Sequence, residues 1–276
     1  MNPLLRVALF GVLFAGPLTT AQAQQASPLL PDKNLEAAVR AELKDPKGEL
    51  KEENLKNLFF LDANGKSISN LTGLEKCPNL AQIRLANNQI ADLTPLKGLM
   101  NLQSLDLAGN KIKDLMPLAG LTKLQFLELT NNQISDLKPL AGLTSLNALY
   151  LSGNQISDLT PLGKLAKLSS LSLGRNKIKD LAPLAQVNKL STLDLTENQV
   201  EDLKPLTKQT ELSILMLEKN KIADLTPLVS MAKADAEGAK RFAPYLRLYL
   251  KGNPLGDEAK GKQLDELKKI GVRVDF

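Results

Sequence analysis

A column of seven aspartates supplies the side chains best placed to bind metal ions. They recur with a 22-residue period, at Asp92, Asp114, Asp136, Asp158, Asp180, Asp202 and Asp224. Stacked carboxylates provide the oxygen ligands that calcium prefers. However, each aspartate begins an Asp-Leu-x-Pro-Leu element, where its side chain can instead cap the free backbone N–H groups of a turn. Every repeat needs such a cap, whereas a metal site needs only one or two repeats, so we predict a structural column and no metal.

The sequence contains one cysteine and no histidine, which limits the nucleophiles and metal ligands that the protein can offer. These counts exclude an intramolecular disulfide, a Ser-His-Asp triad, a Cys-His dyad and histidine-ligated zinc or haem. Cys77 could be a reactive thiol, but a shift of one period places it in register with Leu99, and a second period leads to Leu121. We therefore predict that Cys77 is a buried, inert core residue, and that the protein has no cofactor and is not an enzyme.

Asparagines follow the same 22-residue period. They stand at Asn88, Asn110, Asn132, Asn154, Asn176, Asn198 and Asn220. Each follows an alternating segment such as Leu127-Glu128-Leu129, which turns one face of a short strand inward. An asparagine at this point can turn inward and hydrogen-bond the backbone where the chain bends. Stacked coils would bury the leucines in one aliphatic core, consistent with a chain that is 43% hydrophobic and only 4% aromatic.

The repeated pattern Leu-x-x-Leu-x-Leu-x-x-Asn-x-Ile, as from Leu102 to Ile112, resembles the bacterial, internalin-like class of leucine-rich repeats. The resemblance covers nearly the whole chain after residue 23. It implies an α/β solenoid: a leucine-rich repeat horseshoe with a parallel concave β-sheet, a 3₁₀ or extended convex side, and helical N- and C-terminal caps. It also implies interaction through the concave face, without naming a ligand.

The segment 1–56 departs from the repeat. Residues 1–23 are typical of a signal peptide, with Arg6 before an apolar run that ends at Leu18 and small residues for cleavage after Ala23. The run is too short for a bilayer, which needs about 20 apolar residues, although an uncleaved anchor is the alternative. Since no later stretch could span a membrane, we predict an exported, soluble monomer, periplasmic or secreted. Residues 24–56 have helical spacing and are predicted to form an N-terminal cap.

The far end also departs from the repeats, which we place at 57–231. The interval from Asn220 to Asn253 is one and a half periods instead of one. We predict that a helical insertion at 232–244 accounts for the difference. The last repeat and a C-terminal cap would occupy 245–276. The insertion could overhang an apolar concave patch formed by Ile214, Met216 and Tyr249, in which case this patch would serve packing and not binding.

Outward strand positions are the predicted binding surface, because the core does not constrain them. The predicted binding residues are Arg84, Asp106, Phe126, Glu128, Tyr150, Asp194, Met216 and Tyr249. Phe126 and Tyr150 lie on adjacent coils beside Asp106 and Glu128, and aromatic anchors next to fixed charges are typical of binding hot spots. A surface of this kind suits a protein, peptide or glycan partner.

The net charge of +5 at pH 7 is weak support for a polyanionic partner. Lysines are spread over loops and outer segments with acidic residues between them, and the aromatic residues form no stacking series. We therefore predict no nucleic-acid binding.

Three other functions are open at this point. One is an intracellular phosphatase-regulator role, which the signal peptide disfavours. Another is a scaffold without a specific ligand. The third is a glycan-active enzyme that uses Asp106 and Glu128, since carboxylates about 5 Å apart can hydrolyse glycosides. We expect an open, wet sheet not to raise the pKa of an acid, which disfavours the enzyme.

Overall fold

Each 22-residue repeat folds into one coil that contains a three-residue strand. The computed structural model describes residues 28–45, 47–238 and 240–276, so the predicted signal peptide lies outside the described residues. The strands form a single ten-stranded sheet in chain order. They are β1 Phe60–Asp62, β2 Gln82–Arg84, β3 Ser104–Asp106, β4 Phe126–Glu128, β5 Ala148–Tyr150, β6 Ser170–Ser172, β7 Thr192–Asp194, β8 Ile214–Met216, β9 Arg247–Tyr249 and β10 Arg273–Asp275. All neighbouring strands pair in parallel, which confirms the predicted leucine-rich repeat solenoid.

The core is a continuous aliphatic column inside the stacked coils. Leu127 and Leu129 face inward from β4 and its exit, and both are fully buried. Ile134, Leu137 and Leu140 complete the same coil and are at most 1% exposed. Equivalent residues of neighbouring coils belong to the same cluster. Because no coil can bury its leucines alone, stacking of the coils supplies the hydrophobic stabilisation.

The predicted asparagine column is a ladder of buried hydrogen bonds. The Nδ2 group of Asn154 donates to the carbonyl oxygens of Leu151 at 2.9 Å and of Leu129, in the preceding coil, at 3.0 Å. Its Oδ1 accepts from the N–H group of Ile134 at 3.0 Å. The other asparagines of the column repeat this arrangement, for example Asn132 with Leu107 and Leu129. Each side chain therefore joins two coils and satisfies backbone groups that the bend would leave unpaired.

The predicted aspartate column caps the turns of the convex side. Oδ1 of Asp158 accepts from the N–H group of Thr160 at 2.8 Å, at the start of the 3₁₀ turn Thr160–Lys164. The same bond recurs at all seven aspartates. Proline in the first positions fixes φ as the turn requires. Among the described residues, no group of three acidic, histidine or cysteine side chains is arranged to hold a metal ion.

Two helices cover the first coil. Helix α1, Lys33–Leu43, is capped by Asp32, which accepts from the N–H groups of Asn34 and Leu35. Helix α2, Glu52–Leu55, follows it. Helix α1 buries Leu35 and Val39 and packs against β1, so the open end of the aliphatic column is shielded from water.

The C-terminal insertion differs from its predicted position and placement. Helix α3 spans Thr226–Glu237, whereas the predicted insertion was 232–244. It replaces the 3₁₀ turn of its coil and packs against the 3₁₀ turn Lys204–Lys208 and against helix α4, Leu264–Ile270. Helix α3 therefore lies on the convex side and does not itself overhang the concave patch.

Helix α4 is the helix of the C-terminal cap; a π-helical segment, Ala259–Gln263, precedes it and strand β10 follows it. Gly271 terminates the helix at a φ of 104°, a left-handed conformation that glycine adopts without the strain of a side chain. None of the helices in the described part of the chain combines the length and apolarity needed to cross a bilayer.

Candidate binding surface on the concave sheet

Two aromatic rings meet on the concave face of strands β4 and β5. The strand register places Phe126 opposite Ala148 and Glu128 opposite Tyr150, so the two aromatic residues are diagonal neighbours. Their ring centroids are 5.5 Å apart and the ring planes are tilted by 47°, a favourable geometry for aromatic pairs. Both residues remain partly exposed, and the small Ala148 side chain leaves room beside them.

Two carboxylates border this aromatic pair. Asp106 on β3 lies directly opposite Glu128 on β4. Burial raises the pKa of Glu128 above its usual value; the N–H group of Thr130 opposes this shift, and the negative charge of Asp106 adds to it. The expectation that the open sheet leaves acid pKa values unraised is therefore wrong for Glu128, because neighbouring side chains on a sheet can desolvate a carboxylate without a closed site.

Asp194 on β7 anchors a network of hydroxyl groups. Its carboxylate accepts from the hydroxyl of Ser172 at 2.9 Å and from the N–H group of Thr196 at 2.9 Å. Ser152 lies 2.7 Å from Ser172, oxygen to oxygen. The network spans the exits and strands of three coils and fixes the carboxylate of Asp194 in place.

The remaining predicted residues lie at the two ends of the sheet. Arg84 on β2 pairs with Asp62 at 3.6 Å and lies over the ring of Phe60, 5.7 Å from its centroid. Met216 and Tyr249 lie opposite each other on β8 and β9, and both are partly exposed. The structure thus unites Asp106, Phe126, Glu128 and Tyr150 and separates them from Arg84, Met216 and Tyr249.

The repeats and their geometry match known proteins. The family described as "Leucine Rich repeats (2 copies)" matches residues 56–98, 101–142 and 144–186. The structure of internalin C2 from Listeria monocytogenes has 37% sequence identity and a TM-score of 0.71, over 74% of this chain and 93% of that one. This chain belongs to the internalin-like leucine-rich repeat proteins.

Two further internalin structures, both from Listeria monocytogenes, are similar to this internalin-like protein. Internalin F has 25% identity and a TM-score of 0.50, over 92% of each chain. The functional domain of InlJ has 26% identity and a TM-score of 0.61, over 82% of this chain and 52% of that one. No curated protein sequence matches the chain significantly.

The InlJ domain includes a cysteine ladder, whereas the internalin-like chain has Cys77 alone. Cys77 occupies a leucine position of the core and is fully buried, as predicted from its register. Burial, and to a smaller extent the negative charge of Glu75, raises the pKa of the thiol to about 12.

We expect the Cys77 thiol of the native protein to react with a thiol reagent at pH 8 at least about a hundredfold more slowly than in the unfolded chain. The reason is that the thiolate is the nucleophile, and both its population and its accessibility are low in the fold. The measurement is the rate at which a chromogenic disulfide reagent reacts with Cys77, followed by absorbance, with and without guanidinium chloride. Free cysteine provides the reference rate, and equal native and unfolded rates would contradict the assignment.

The sequence did not predict an open groove along the edge of the sheet where the strands begin. It has a volume of about 760 Å³, and Lys167, Lys189, Lys208 and Arg241 are among its lining residues. Lys167 and Lys189 are one period apart, in the loops before β6 and β7. The sequence could therefore have predicted that these two lysines lie side by side. The position of Arg241 could not be predicted in this way, since it comes from the insertion and reaches Glu211 at 3.3 Å.

Proposed function

We propose that this internalin-like protein is an exported, non-catalytic binding module that recognises a protein, peptide or glycan through its concave face. The observation that carries the proposal is the pair Phe126 and Tyr150, which lies partly exposed in the middle of the sheet. Exposed aromatic rings on a solenoid sheet contribute little to the fold, whereas they are common anchors of interfaces.

The dimensions of the sheet support an extended partner. Ten strands at about 4.8 Å spacing give a surface roughly 43 Å long. This length accommodates a standard interface of about 800 Å² per partner. The features that support export are the composition of residues 1–23 and the similarity to internalins.

The two directly opposed carboxylates, Asp106 and Glu128, make glycan hydrolysis a second candidate function. Burial raises the pKa of Glu128, which is the direction that a general acid needs, and Asp106 would be the second carboxylate. Both residues lie on an open sheet that contacts a substrate from one side only, so we propose binding in preference to catalysis. Turnover of a glycan panel that is lost in Glu128→Gln would replace the binding proposal with this candidate.

The test of the binding proposal is partner capture by the chain that begins at Gln24 and by its Phe126→Ala/Tyr150→Ala variant. We expect the variant to lose affinity for the captured partner by about 30-fold or more, because truncation of hot-spot aromatics costs about 2 kcal/mol or more. Affinity is then measured by titration calorimetry with the isolated partner.

The matched control is Phe59→Ala/Tyr245→Ala, which removes one phenylalanine and one tyrosine that are 60% and 68% exposed and lie outside β3–β8. We expect this control to bind as the unmodified chain does. Equal affinity of the Phe126/Tyr150 variant, with an unchanged thermal unfolding midpoint, would overturn the proposal.

A further inference from the structure

The middle of the concave sheet carries a charge opposite to that of the whole chain. In β3–β8, the outward positions are the first and third residues of each strand and the second residue after it. These positions hold four carboxylates and no lysine or arginine. The whole chain, in contrast, has a net charge of +5. We call this surface the acidic face; its residues are Asp106, Phe126, Glu128, Tyr150, Asp194 and Glu218.

The four carboxylates of the acidic face differ from several acidic residues elsewhere, which pair with cationic side chains. At the edge of the sheet and in the loops, Asp62 pairs with Arg84 at 3.6 Å, and Glu197 pairs with Lys219 at 2.7 Å. In contrast, no described residue forms an ion pair with any carboxylate of the acidic face. Their charge is therefore available to a ligand.

These carboxylates are also held in fixed orientations. Glu128 accepts from the N–H group of Thr130 at 2.7 Å, and Asp106 accepts from that of Ala108 at 3.1 Å. Asp194 is fixed in the same way by Thr196, and Glu218 accepts from the hydroxyl of Thr196 at 3.1 Å. Because these groups are ordered before binding, the protein loses less side-chain conformational entropy when a ligand binds to them.

Resting on the proposed function, we infer that the acidic face binds an extended, positively charged polypeptide segment. One lysine or arginine of the segment lies against Phe126 and Tyr150, between Asp106 and Glu128. A second basic residue lies at Asp194. Aromatic faces attract cations, and a cation between the directly opposed Asp106 and Glu128 offsets the repulsion of two like charges on adjacent strands.

The spacing of the two carboxylate positions sets the spacing of the basic residues. Glu128 and Asp194 are separated by three strand steps, or about 14 Å at roughly 4.8 Å per step. An extended peptide that crosses the strands advances about 3.3 Å per residue, so about four residues cover this distance. Side chains at i and i+4 of an extended chain share one face, so the ligand has the form Lys-x-x-x-Lys, with arginine as an equivalent.

The test uses three capped peptides and titration calorimetry. The first is Gly-Lys-Gly-Gly-Gly-Lys-Gly, the second has the two lysines adjacent, and the third has glutamine in place of both lysines. We expect the first to bind with a Kd below about 1 mM, the second about fivefold more weakly, and the third not measurably. Binding of the first peptide should weaken as salt is raised, since exposed charges are screened.

The variant Asp106→Asn/Glu128→Gln removes two charges and keeps the side-chain shapes. We expect it to bind the first peptide about tenfold or more weakly than the unmodified chain. The matched control, Glu53→Gln/Glu201→Gln, removes the same charge at exposed positions outside the acidic face and should bind normally. Thermal unfolding of both variants verifies that they fold.

The inference is overturned if the glutamine peptide binds as well as the first peptide, if no peptide binds, or if both double variants bind alike. Such a result leaves the proposed function standing when the Phe126→Ala/Tyr150→Ala variant still loses its captured partner. Conversely, retention of the partner by that variant removes the proposed function and the inference with it.

Discussion

Replacement of Asn154 by alanine is expected to lower the free energy of unfolding by about 3 kcal/mol, because it removes three buried hydrogen bonds and leaves one buried donor unsatisfied. The N–H group of Ile134 loses its acceptor at 3.0 Å, and an unsatisfied buried donor costs about 1–3 kcal/mol. The carbonyl oxygens of Leu129 and Leu151 each lose one of two amide donors and keep the other, from Asn132 and Asn176 respectively. Each of these two lost bonds costs about 0.5–1.5 kcal/mol, and alanine offers neither a donor nor an acceptor in return.

Urea unfolding followed by circular dichroism measures this loss, with Asn188→Ala as the control. Asn188 is exposed, and we expect its replacement to change the free energy of unfolding by no more than about 0.5 kcal/mol. If the two variants were equally stable, the asparagine ladder would not support the coils in the way the hydrogen bonds indicate.

The repeat made most of this fold predictable from the sequence. The 22-residue period set the register of every strand from β1 to β8, because residues at equivalent positions of identical coils must stack. The return of the same motif at Leu248, Leu250 and Asn253 set the register of β9. The same period identified Asn154 as a buried hydrogen-bonding residue and Cys77 as a core residue. Side chains at equivalent positions of the repeat have the same environment, so one sequence with many repeats is enough to predict whether such a position is buried.

Features that break the period were harder to predict. Helix α3 begins at Thr226, where the other repeats form a short 3₁₀ turn. The residues after Pro227 and Leu228 include helix formers such as Met231 and Ala232, so the turn continues as a helix. The raised pKa of Glu128 was missed since it depends on how neighbouring coils desolvate the carboxylate. The pKa shift arises from contacts between coils, whereas helix α3 follows a local sequence signal that lies outside the 22-residue period.

Asp235 is a further residue that the sequence did not single out, and its replacement by alanine is expected to cost about 3 kcal/mol. Its carboxylate accepts from three backbone N–H groups, those of Arg241, Phe242 and Ala243, at 2.9, 3.1 and 3.0 Å. The bonds to Phe242 and Ala243 are buried, so their loss leaves two buried donors without acceptors. Because a solenoid unfolds in local units, the effect should concentrate in the C-terminal coil.

The contribution of Asp235 should depend on pH in a defined direction. Burial raises the pKa of Asp235, but the N–H groups of Ala243, Arg241 and Phe242 and the charge of Arg241 outweigh burial and lower it below its usual value. A carboxyl whose pKa is lower in the folded state stabilises the fold above its unfolded pKa, and this stabilisation is lost as the pH falls through the folded pKa. The stability difference between the unmodified chain and Asp235→Ala should therefore shrink below about pH 4.

Hydrogen exchange and urea unfolding at pH 7 and at about pH 2.5 measure this pH dependence. At pH 7, Asp235→Ala should accelerate exchange in residues 226–250 and leave the coils around Asn154 unchanged. The control is Glu237→Ala, an exposed residue of the same helix α3, for which we expect wild-type exchange at both pH values. An Asp235→Ala effect of equal size at both pH values would assign the stabilisation to packing, because only the ionised carboxylate offers strong acceptors to all three N–H groups at once.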